Sequence, residues 1–523
     1  NYALVIAVLV VAFVFLQSPW PWLGCDEAAW LTSAIKALNG KVIGQEAPLA
    51  KGPYLLAWHT AVYAALGPNV VALKIVGMLW SLLTGIVICL LAHRFAGKRG
   101  VIATGVLYIA ATADPAMRDS VYAETILMLP VAAAVWLVIS GLDRRSWWHI
   151  VAAGLLSGIA VLTKQTAFFG VVALAGAIFI IGRRSGLKTG VRRCGAFIAG
   201  TIVAAAPWIA YILVYQRPAE AADGMVGSAA QYLGRLDLHA VIANLGWASV
   251  HVFPRYTIVI IASIGGLVML LRSWRRGDRP GEFASLSEHR DWAIVAVTGS
   301  LWYLASLASV GATLRFAAHY FNLFAAPAAL LGGLWIARAW FRGGLRERAS
   351  GALNIPLLVA VTQIVVIMAL VPEHVGRWQY AIATVREGSI WQEAGGYIRS
   401  HTRPDDTIFV WGDDNEVAYW ARRELSARNP WITNSILGFS HIGPLYAARE
   451  REEIDWERLQ RHLQEKQPAC FVVAPGIQTT PPEVRENFGT DDLPRLKQIL
   501  HNSYEPDKTV AGFEIWWRKQ TDR

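Results

Sequence analysis

Two adjacent carboxylates, Asp26 and Glu27, follow an apolar run at residues 2–16 and lie between tryptophans. Carboxylates are costly near a bilayer, so a pair at its surface points to function. An ionised carboxylate can take a proton from a reacting hydroxyl. We therefore expect Asp26 to be a catalytic base and Glu27 to assist it. The alternative is that both acids only cap a helix that starts here and interact with its dipole.

A cation follows in the same loop, where Lys51 precedes Gly52 and Pro53. A lysine ammonium is a compact, strongly hydrated charge that suits a phosphate or pyrophosphate at the membrane surface. Lys51 is therefore a candidate phosphate ligand. The alternative is a lysine that only reaches towards lipid headgroups.

A second polar turn joins two later apolar runs and contains four ionisable residues that are candidate substrate ligands. They are Asp114, Arg118, Asp119 and Glu124. Glu124 falls about one helical turn into the following apolar run, where a carboxylate is costly and therefore of functional interest. For Asp114 and Asp119 the alternative is an ordinary solvated turn.

Two further places carry polar residues between apolar runs. Arg315, His319 and Tyr320 combine groups that can hold phosphate and sugar hydroxyls. Their alternative is an interfacial aromatic belt with a surface arginine. Lys164 lies at a break between apolar segments, where it either pairs with one of the carboxylates or marks a short turn.

The composition favours a membrane protein, because 54% of the residues are hydrophobic and only 16% are charged. Soluble domains carry about a quarter charged residues. The net charge of +10 comes from arginines in short loops, which is a topology signal rather than a nucleic-acid-binding face. The four cysteines show no metal-binding spacing. No dinucleotide fingerprint, phosphate-binding loop, zinc-protease motif or paired-cysteine motif occurs.

About eleven apolar segments are long enough, or nearly so, to span a bilayer. We place them near 1–17, 70–92, 99–113, 121–141, 147–163, 167–182, 195–215, 253–271, 292–310, 320–340 and 353–372. Lysine and arginine concentrate in alternate loops, for example at Arg94 and at Arg144, and these loops are therefore cytoplasmic. This puts the Asp26 loop and everything after the last span on the exterior side. Within that loop, helices are expected at 26–38 and 54–66, lying in the interface.

The segment after the last span differs in kind. Strand-like runs at 407–411, 469–474 and 512–517 alternate with helical patterns at 390–400 and 456–466. Such alternation is typical of an α/β domain. The sequence therefore predicts a polytopic α-helical membrane domain over 1–372, including exterior loop helices within 25–66, and a C-terminal exterior α/β domain over 373–523.

Several short motifs, taken in order, resemble the GT-C glycosyltransferases. More narrowly, the chain resembles the bacterial branch related to protein O-mannosyltransferases and to the lipid A aminoarabinose transferase. The motifs are Asp26-Glu27-Ala28-Ala29-Trp30, Lys51-Gly52-Pro53, Gly67-Pro68-Asn69, the stretch Gly154 to Lys164, and Arg315 to Tyr320 with Pro327. The chain departs from this pattern at Gly52, where the family often has proline, and in the second acidic turn, which does not align cleanly.

The resemblance implies transfer of a sugar from a polyprenyl-phosphate or polyprenyl-diphosphate donor to a cell-envelope acceptor on the exterior face of a bacterial inner membrane. Lys51 and Arg315 would bind the donor phosphate, and Asp26 would activate an acceptor hydroxyl. Direct displacement of the phosphate would then invert the anomeric carbon. Metal dependence varies within the superfamily, so a divalent cation is permitted but not required, and no other cofactor is expected.

Two other classes of protein remain open from the sequence. A transporter or flippase of lipid-linked sugars would share the spans and the polar residues at one face. Transporters, however, tend to have internal repeats and a site at the bilayer midplane. A scaffold protein that uses the C-terminal segment as a binding module is the third class.

Overall fold

The computed structural model describes residues 2–17, 23–44, 51–113, 121–215, 238–276, 288–312, 314, 316–342, 355–412, 415–427, 456–474 and 494–519. Helices dominate this part of the chain. The helices of the first two thirds are α1 (Tyr2–Leu16), α2 (Cys25–Leu38), α3 (Pro53–Leu66), α4 (Val70–Thr112), α5 (Ala123–Asp143), α6 (Trp147–Thr163), α7 (Phe168–Gly182), α8 (Leu187–Tyr215), α9 (Leu238–His251), α10 (Phe253–Arg276), α11 (Glu288–Gly311), α12 (Asn322–Arg342) and α13 (Ile355–Glu387).

The helical bundle accounts for all the predicted spans. Seven helical segments of the described residues are long and apolar enough to cross a membrane, and α1 and α6 are shorter apolar helices. Each of the eleven predicted spans falls on a described helix, two of them on α4. The protein is therefore a multi-pass membrane protein, as its composition indicates.

Helix α4 is a hairpin of two spans rather than one long rod. Its 43 residues include Gly97, whose φ of 58° and ψ of −151° are not helical. The two halves run back along each other, since the Ser81 and Tyr108 hydroxyl oxygens are 3.1 Å apart. Glycine tolerates a positive φ that would strain other residues. Gly97 therefore separates the spans predicted at 70–92 and 99–113.

Helices α6 and α8 approach closely at glycines. A Cβ atom on Gly154 would lie 2.0 Å from the Phe197 carbonyl oxygen, and one on Gly158 would lie 2.6 Å from the Thr201 carbonyl oxygen. Small residues permit such contact between membrane helices. Because α6 ends at Thr163, these contacts with α8 also fix the position of Lys164, the next residue.

Helix α5 shows the two ends of the bundle. It has 21 residues, with Glu124 in its first turn and Asp143 as its last residue. At about 1.5 Å per residue it spans roughly the hydrocarbon thickness of a bilayer. Asp143 pairs with Arg94 at 2.9 Å, whereas Glu124 pairs with Lys164. The two acids of this helix therefore mark opposite ends of the bundle.

A small α/β domain lies at the C-terminal end, as predicted. Its helices and strands are α14 (Ile390–His401), β1 (Thr407–Trp411), α15 (Glu416–Ala421), β2 (Glu424–Leu425), α16 (Trp456–Lys466), β3 (Cys470–Val473), α17 (Pro494–Ser503), β4 (Tyr504–Val510) and β5 (Phe513–Arg518). The strand order is β2-β1-β3-β5-β4. Strands β2, β1 and β3 are parallel, with Ile408 opposite Cys470, and β5 and β4 are antiparallel.

Both faces of this sheet are covered. Along β1, Ile408 and Val410 pack into one core with Ala394 of α14, and Phe409 and Trp411 pack into a second core. Side chains alternate between the faces of a strand, so a strand buried on both sides reads as a continuous apolar run. This is why β1 was recognisable in the sequence.

Helix α13 links the bundle to the sheet domain. It runs without a break through residue 372, where the sequence placed the domain boundary. Beyond that point His374 Nε2 lies 3.0 Å from the Ala113 carbonyl oxygen, and Trp378 Nε1 donates to the Phe15 carbonyl oxygen at 2.9 Å. The first turns after residue 372 therefore pack on the bundle.

Candidate functional site

The helix that contains Asp26 starts one residue before it. Gly24 is the N-cap of α2, with φ −71° and ψ 158°. Asp26 is half-buried, whereas Glu27 is fully buried. The two adjacent acids therefore face different surroundings, and Asp26 is the more accessible of the two.

Glu27 binds three segments of the chain. Its carboxylate lies 2.5 Å from Lys74 Nζ at the start of α4. It also accepts hydrogen bonds from the backbone N–H of Val121 at 3.0 Å and of Gly24 at 3.4 Å. Burial raises the pKa of the Glu27 carboxyl, and the Lys74 ammonium acts in the opposite direction. Glu27 thus holds the Asp26 helix against the start of α4 and the segment leading into α5.

Lys51 is placed by the glycine that follows it. The Gly52 N–H donates to the Thr163 carbonyl oxygen at 3.1 Å. A Cβ atom on Gly52 would lie only 1.7 Å from the Leu162 carbonyl oxygen. No side chain fits there, which gives the departure from the family pattern a physical reason. The contact brings Lys51 to the end of α6, next to Lys164.

Glu124 and Lys164 form an ion pair inside the protein. Both residues are buried, at 1% and 6% relative exposure. Of the two alternatives for Lys164, pairing with a carboxylate is the one observed. The Lys164 ammonium also lies 4.3 Å from the centre of the Tyr320 ring. Two buried charges need each other, because removing one leaves the other unpaired in a medium of low polarity.

Hydrogen bonds join this pair to the first loop. Gly52, next to Lys51, donates a backbone hydrogen bond to Thr163, which precedes Lys164. Glu27, next to Asp26, accepts one from Val121, three residues before Glu124. Asp26, Lys51, Glu124 and Lys164 therefore form one polar group at a single end of the bundle, which we call the four-charge cluster.

Aromatic rings border the four-charge cluster. A short 3-10 turn at Ala318–Phe321 precedes α12 and contains His319 and Tyr320. The His319 ring stacks on Tyr122 with centroids 4.0 Å apart and an angle of 9°. His319 also acts electrostatically on Glu124. The structure thus brings His319 and Tyr320 to the cluster.

Four candidate residues lie outside the described part of the chain, namely Asp114, Arg118, Asp119 and Arg315. Three residues that the sequence analysis did not single out contribute to the same region. They are Lys74, Tyr122 and Glu416. The available signal for Lys74 was a charge within the first two turns of an apolar span. Within the described ranges, no group of three or more His, Cys, Asp or Glu side chains could hold a metal ion.

One family model and several solved structures match this chain. A family model described as dolichyl-phosphate-mannose-protein mannosyltransferase matches residues 51–211. That stretch includes Lys51, Glu124 and Lys164. A comparison with curated protein sequences gave no match.

Solved structures match over nearly the whole chain. ArnT from Cupriavidus metallidurans bound to undecaprenyl phosphate superposes with a TM-score of 0.58 at 14% identity, covering 99% of this chain and 98% of that one. Its apo state gives 0.57 at 15% identity, covering 98% and 97%. The Archaeoglobus fulgidus oligosaccharyltransferase in complex with Zn and sulfate gives 0.52 at 14% identity, covering 98% and 73%. The chain therefore has the fold of the GT-C superfamily of membrane glycosyltransferases.

Proposed function

We propose that this protein transfers a sugar from a polyprenyl-phosphate-linked donor to a hydroxyl of a cell-envelope acceptor, which is a lipid, a glycan or a protein. The observation that supports this best is the four-charge cluster, in which Asp26, Lys51, Glu124 and Lys164 lie at one end of a GT-C bundle. The matching ArnT structure contains undecaprenyl phosphate, which supports a lipid phosphate as the carrier.

Asp26 is the general base in this proposal. It is half-buried, on a helix that is bound to the segment leading into Glu124. Glu27 is fully buried against Lys74 and acts as a helper that fixes the helix. The acceptor oxygen attacks the anomeric carbon, its proton passes to the Asp26 carboxylate, and the bond from that carbon to the phosphate oxygen breaks. The polyprenyl phosphate leaves with the bonding electrons. A single displacement of this kind inverts the anomeric carbon.

Cations receive the charge that develops on the leaving phosphate. Lys51 reaches the cluster through the Gly52–Thr163 contact, and Arg315 precedes the 3-10 turn with His319 and Tyr320. Positively charged groups aimed at developing charge lower the barrier to reaction. Glu124 pairs with Lys164 and sets its position, and the remaining substrate ligands in this proposal are Asp114, Arg118, Asp119, His319 and Tyr320.

The proposed location is a bacterial inner membrane with the site and the sheet domain on the exterior side. Two features support this orientation. The basic loops predicted to be cytoplasmic include Arg94 and Arg144, which adjoin the Asp143 end of α5. The four-charge cluster and the sheet domain belong to the other end.

Transfer and transport can be separated in one assay. Purified protein in proteoliposomes receives a polyprenyl-phosphate sugar labelled in the sugar, together with an envelope extract that retains its lipids, glycans and proteins. The proposal predicts that the label moves from the polyprenyl-phosphate sugar to a molecule of the extract and that polyprenyl phosphate is released in equal amount. Movement of intact labelled lipid between leaflets without release of polyprenyl phosphate would instead identify a flippase.

A further inference from the structure

A carboxylate of the sheet domain binds the chain directly ahead of the Asp26 helix. Glu416, the first residue of α15, accepts a hydrogen bond from the Leu23 backbone N–H at 2.9 Å. Leu23 is next to Gly24, the N-cap of α2, and lies three residues before Asp26. Leu23 and Glu416 are both buried, at 7% and 3% relative exposure. The bond therefore joins residues 393 positions apart in the sequence.

The geometry suits a positioning role. Hydrogen bonds from backbone N–H groups to ionised carboxylates are stronger than neutral ones. The N-terminal end of a helix also has a partial positive charge that favours a nearby carboxylate. The other Glu416 oxygen accepts from Trp420 Nε1 at 3.3 Å, which fixes the orientation of the carboxylate.

More contacts tie the same segment of the sheet domain to the first loop. Lys36 Nζ donates to the Ala427 carbonyl oxygen at 2.7 Å. Asn39 Nδ2 donates to Glu424 Oε1 at 2.8 Å, at an exposed position. The Tyr419 hydroxyl donates to the Gly67 carbonyl oxygen at 3.3 Å. Residues 416–427 thus contact both ends of α2, and Glu416 provides the hydrogen bond at the end that contains Asp26.

We propose that Glu416 is a positioning residue for catalysis, through which the sheet domain holds the start of α2 and so sets the place of Asp26. This inference rests on the proposed role of Asp26 as the base. A displacement of about 1 Å in a reacting group can lower a rate by roughly 100-fold. The sheet domain is therefore part of the catalytic apparatus rather than an independent appendage.

Three substitutions at Glu416 in the full-length protein test this role. Glu416→Gln keeps an oxygen at the same reach, Glu416→Asp withdraws the carboxylate by one methylene, and Glu416→Ala removes it. Glu424→Ala is the matched control, because it breaks a contact of the same domain with the far end of the same helix. The measurements are kcat, the KM for the lipid donor, and hydrogen exchange in the peptide that includes Leu23 to Glu27.

The expected result is a kcat reduced by roughly 10-fold to 100-fold in Glu416→Asp and Glu416→Ala, with donor KM unchanged and faster exchange at Leu23. Glu416→Gln should recover most of the rate, and Glu424→Ala should match the wild type. If Glu416→Ala does not fold, the comparison of kcat between Glu416→Gln and Glu416→Asp tests the positioning role. Unchanged kcat in Glu416→Asp, with or without faster exchange, would overturn the positioning role. Failure of the base assignment itself would be seen separately, as turnover retained by Asp26→Asn.

Discussion

The carboxylate of Glu27 and the ammonium of Lys74 meet at 2.5 Å with side chains 0% and 4% exposed. Glu27 is in the first turn of the helix that contains Asp26, and Lys74 is in the first two turns of a membrane span. The pair therefore fixes the proposed catalytic helix to the rigid bundle.

Removing Lys74 should destabilise the protein strongly. Lys74→Met leaves the Glu27 carboxylate buried without its cation, which typically costs about 3–5 kcal/mol. Arg94→Met is the matched control, because Arg94 and Asp143 form a pair that is 24% and 32% exposed and such pairs contribute about 0–1 kcal/mol. The measurement is unfolding in detergent. The double variant Glu27→Gln with Lys74→Met should regain much of the loss, and equal losses for Lys74→Met and Arg94→Met would contradict this account.

A methyl group at Gly52 should disturb the site. Gly52→Ala places a Cβ atom 1.7 Å from the Leu162 carbonyl oxygen, so the segment that contains Lys51 has to move. Overpacking of this kind costs about 1–3 kcal/mol. Thermal unfolding and donor binding should both be impaired. Gly170→Ala, in α7 with no atom near the added Cβ, should change neither, and a Gly52→Ala variant that behaves as well would show that the contact is dispensable.

Loss of the proposed phosphate ligands should weaken donor binding more than it lowers the stability of the protein. Lys51→Ala and Arg315→Ala each remove one positive charge from the proposed phosphate site, and charge-assisted hydrogen bonds to phosphate are among the stronger ones. Binding of undecaprenyl phosphate to the purified protein should fall by about 10-fold or more per variant, an effect of about 1.4 kcal/mol. Lys98→Ala, at the other end of the bundle beside Tyr2, is the control. Wild-type affinity in both site variants would remove the assignment.

Stability should depend on pH through His59. Burial lowers the pKa of His59 to about 4, whereas an unfolded histidine has a pKa of about 6.5. The unfolded state therefore binds the proton first as pH falls, so stability declines from about pH 6.5 to about pH 4 and then levels off. The full difference is on the order of 3 kcal/mol.

His59→Asn tests that dependence, because its amide can still donate to the Leu55 carbonyl oxygen that His59 Nδ1 contacts at 2.9 Å. The variant should lose less stability than the wild type between pH 7 and pH 4, as measured by thermal unfolding. His239→Asn, at an exposed position in α9, should keep the wild-type pH dependence. A pH profile unaltered by His59→Asn would show that other groups control acid stability.

The sequence predicted most of the architecture because burial leaves a local pattern. Strands β1, β3 and β5 are largely buried, and their apolar runs were recognised. Strand β4 was missed because its middle, from Glu505 to Thr509, is exposed at the sheet edge and contains Pro506. Proline is tolerated at edges, and such strands lack the apolar signal.

Pairing between distant residues could not be predicted in the same way. The sequence drew attention to Glu27, but its partner Lys74 lies 47 positions away, and Glu416 lies 393 positions from Leu23. Nothing local distinguishes Lys74 from a lysine that reaches towards headgroups. The difference between Asp26 and Glu27, one half-buried and one fully buried, likewise depends on tertiary packing.

Turnover of Asp26→Asn tests the central claim most directly. Asparagine has nearly the same size, so the helix and donor binding should be retained while proton abstraction is lost. General-base catalysis contributes about 10²–10⁴-fold, and release of polyprenyl phosphate should fall by that factor with unchanged affinity for undecaprenyl phosphate. Glu27→Gln should cost less turnover. Near-normal turnover in Asp26→Asn, with activity abolished instead by Asp119→Asn or Glu124→Gln, would place the base in the second acidic turn and contradict the account.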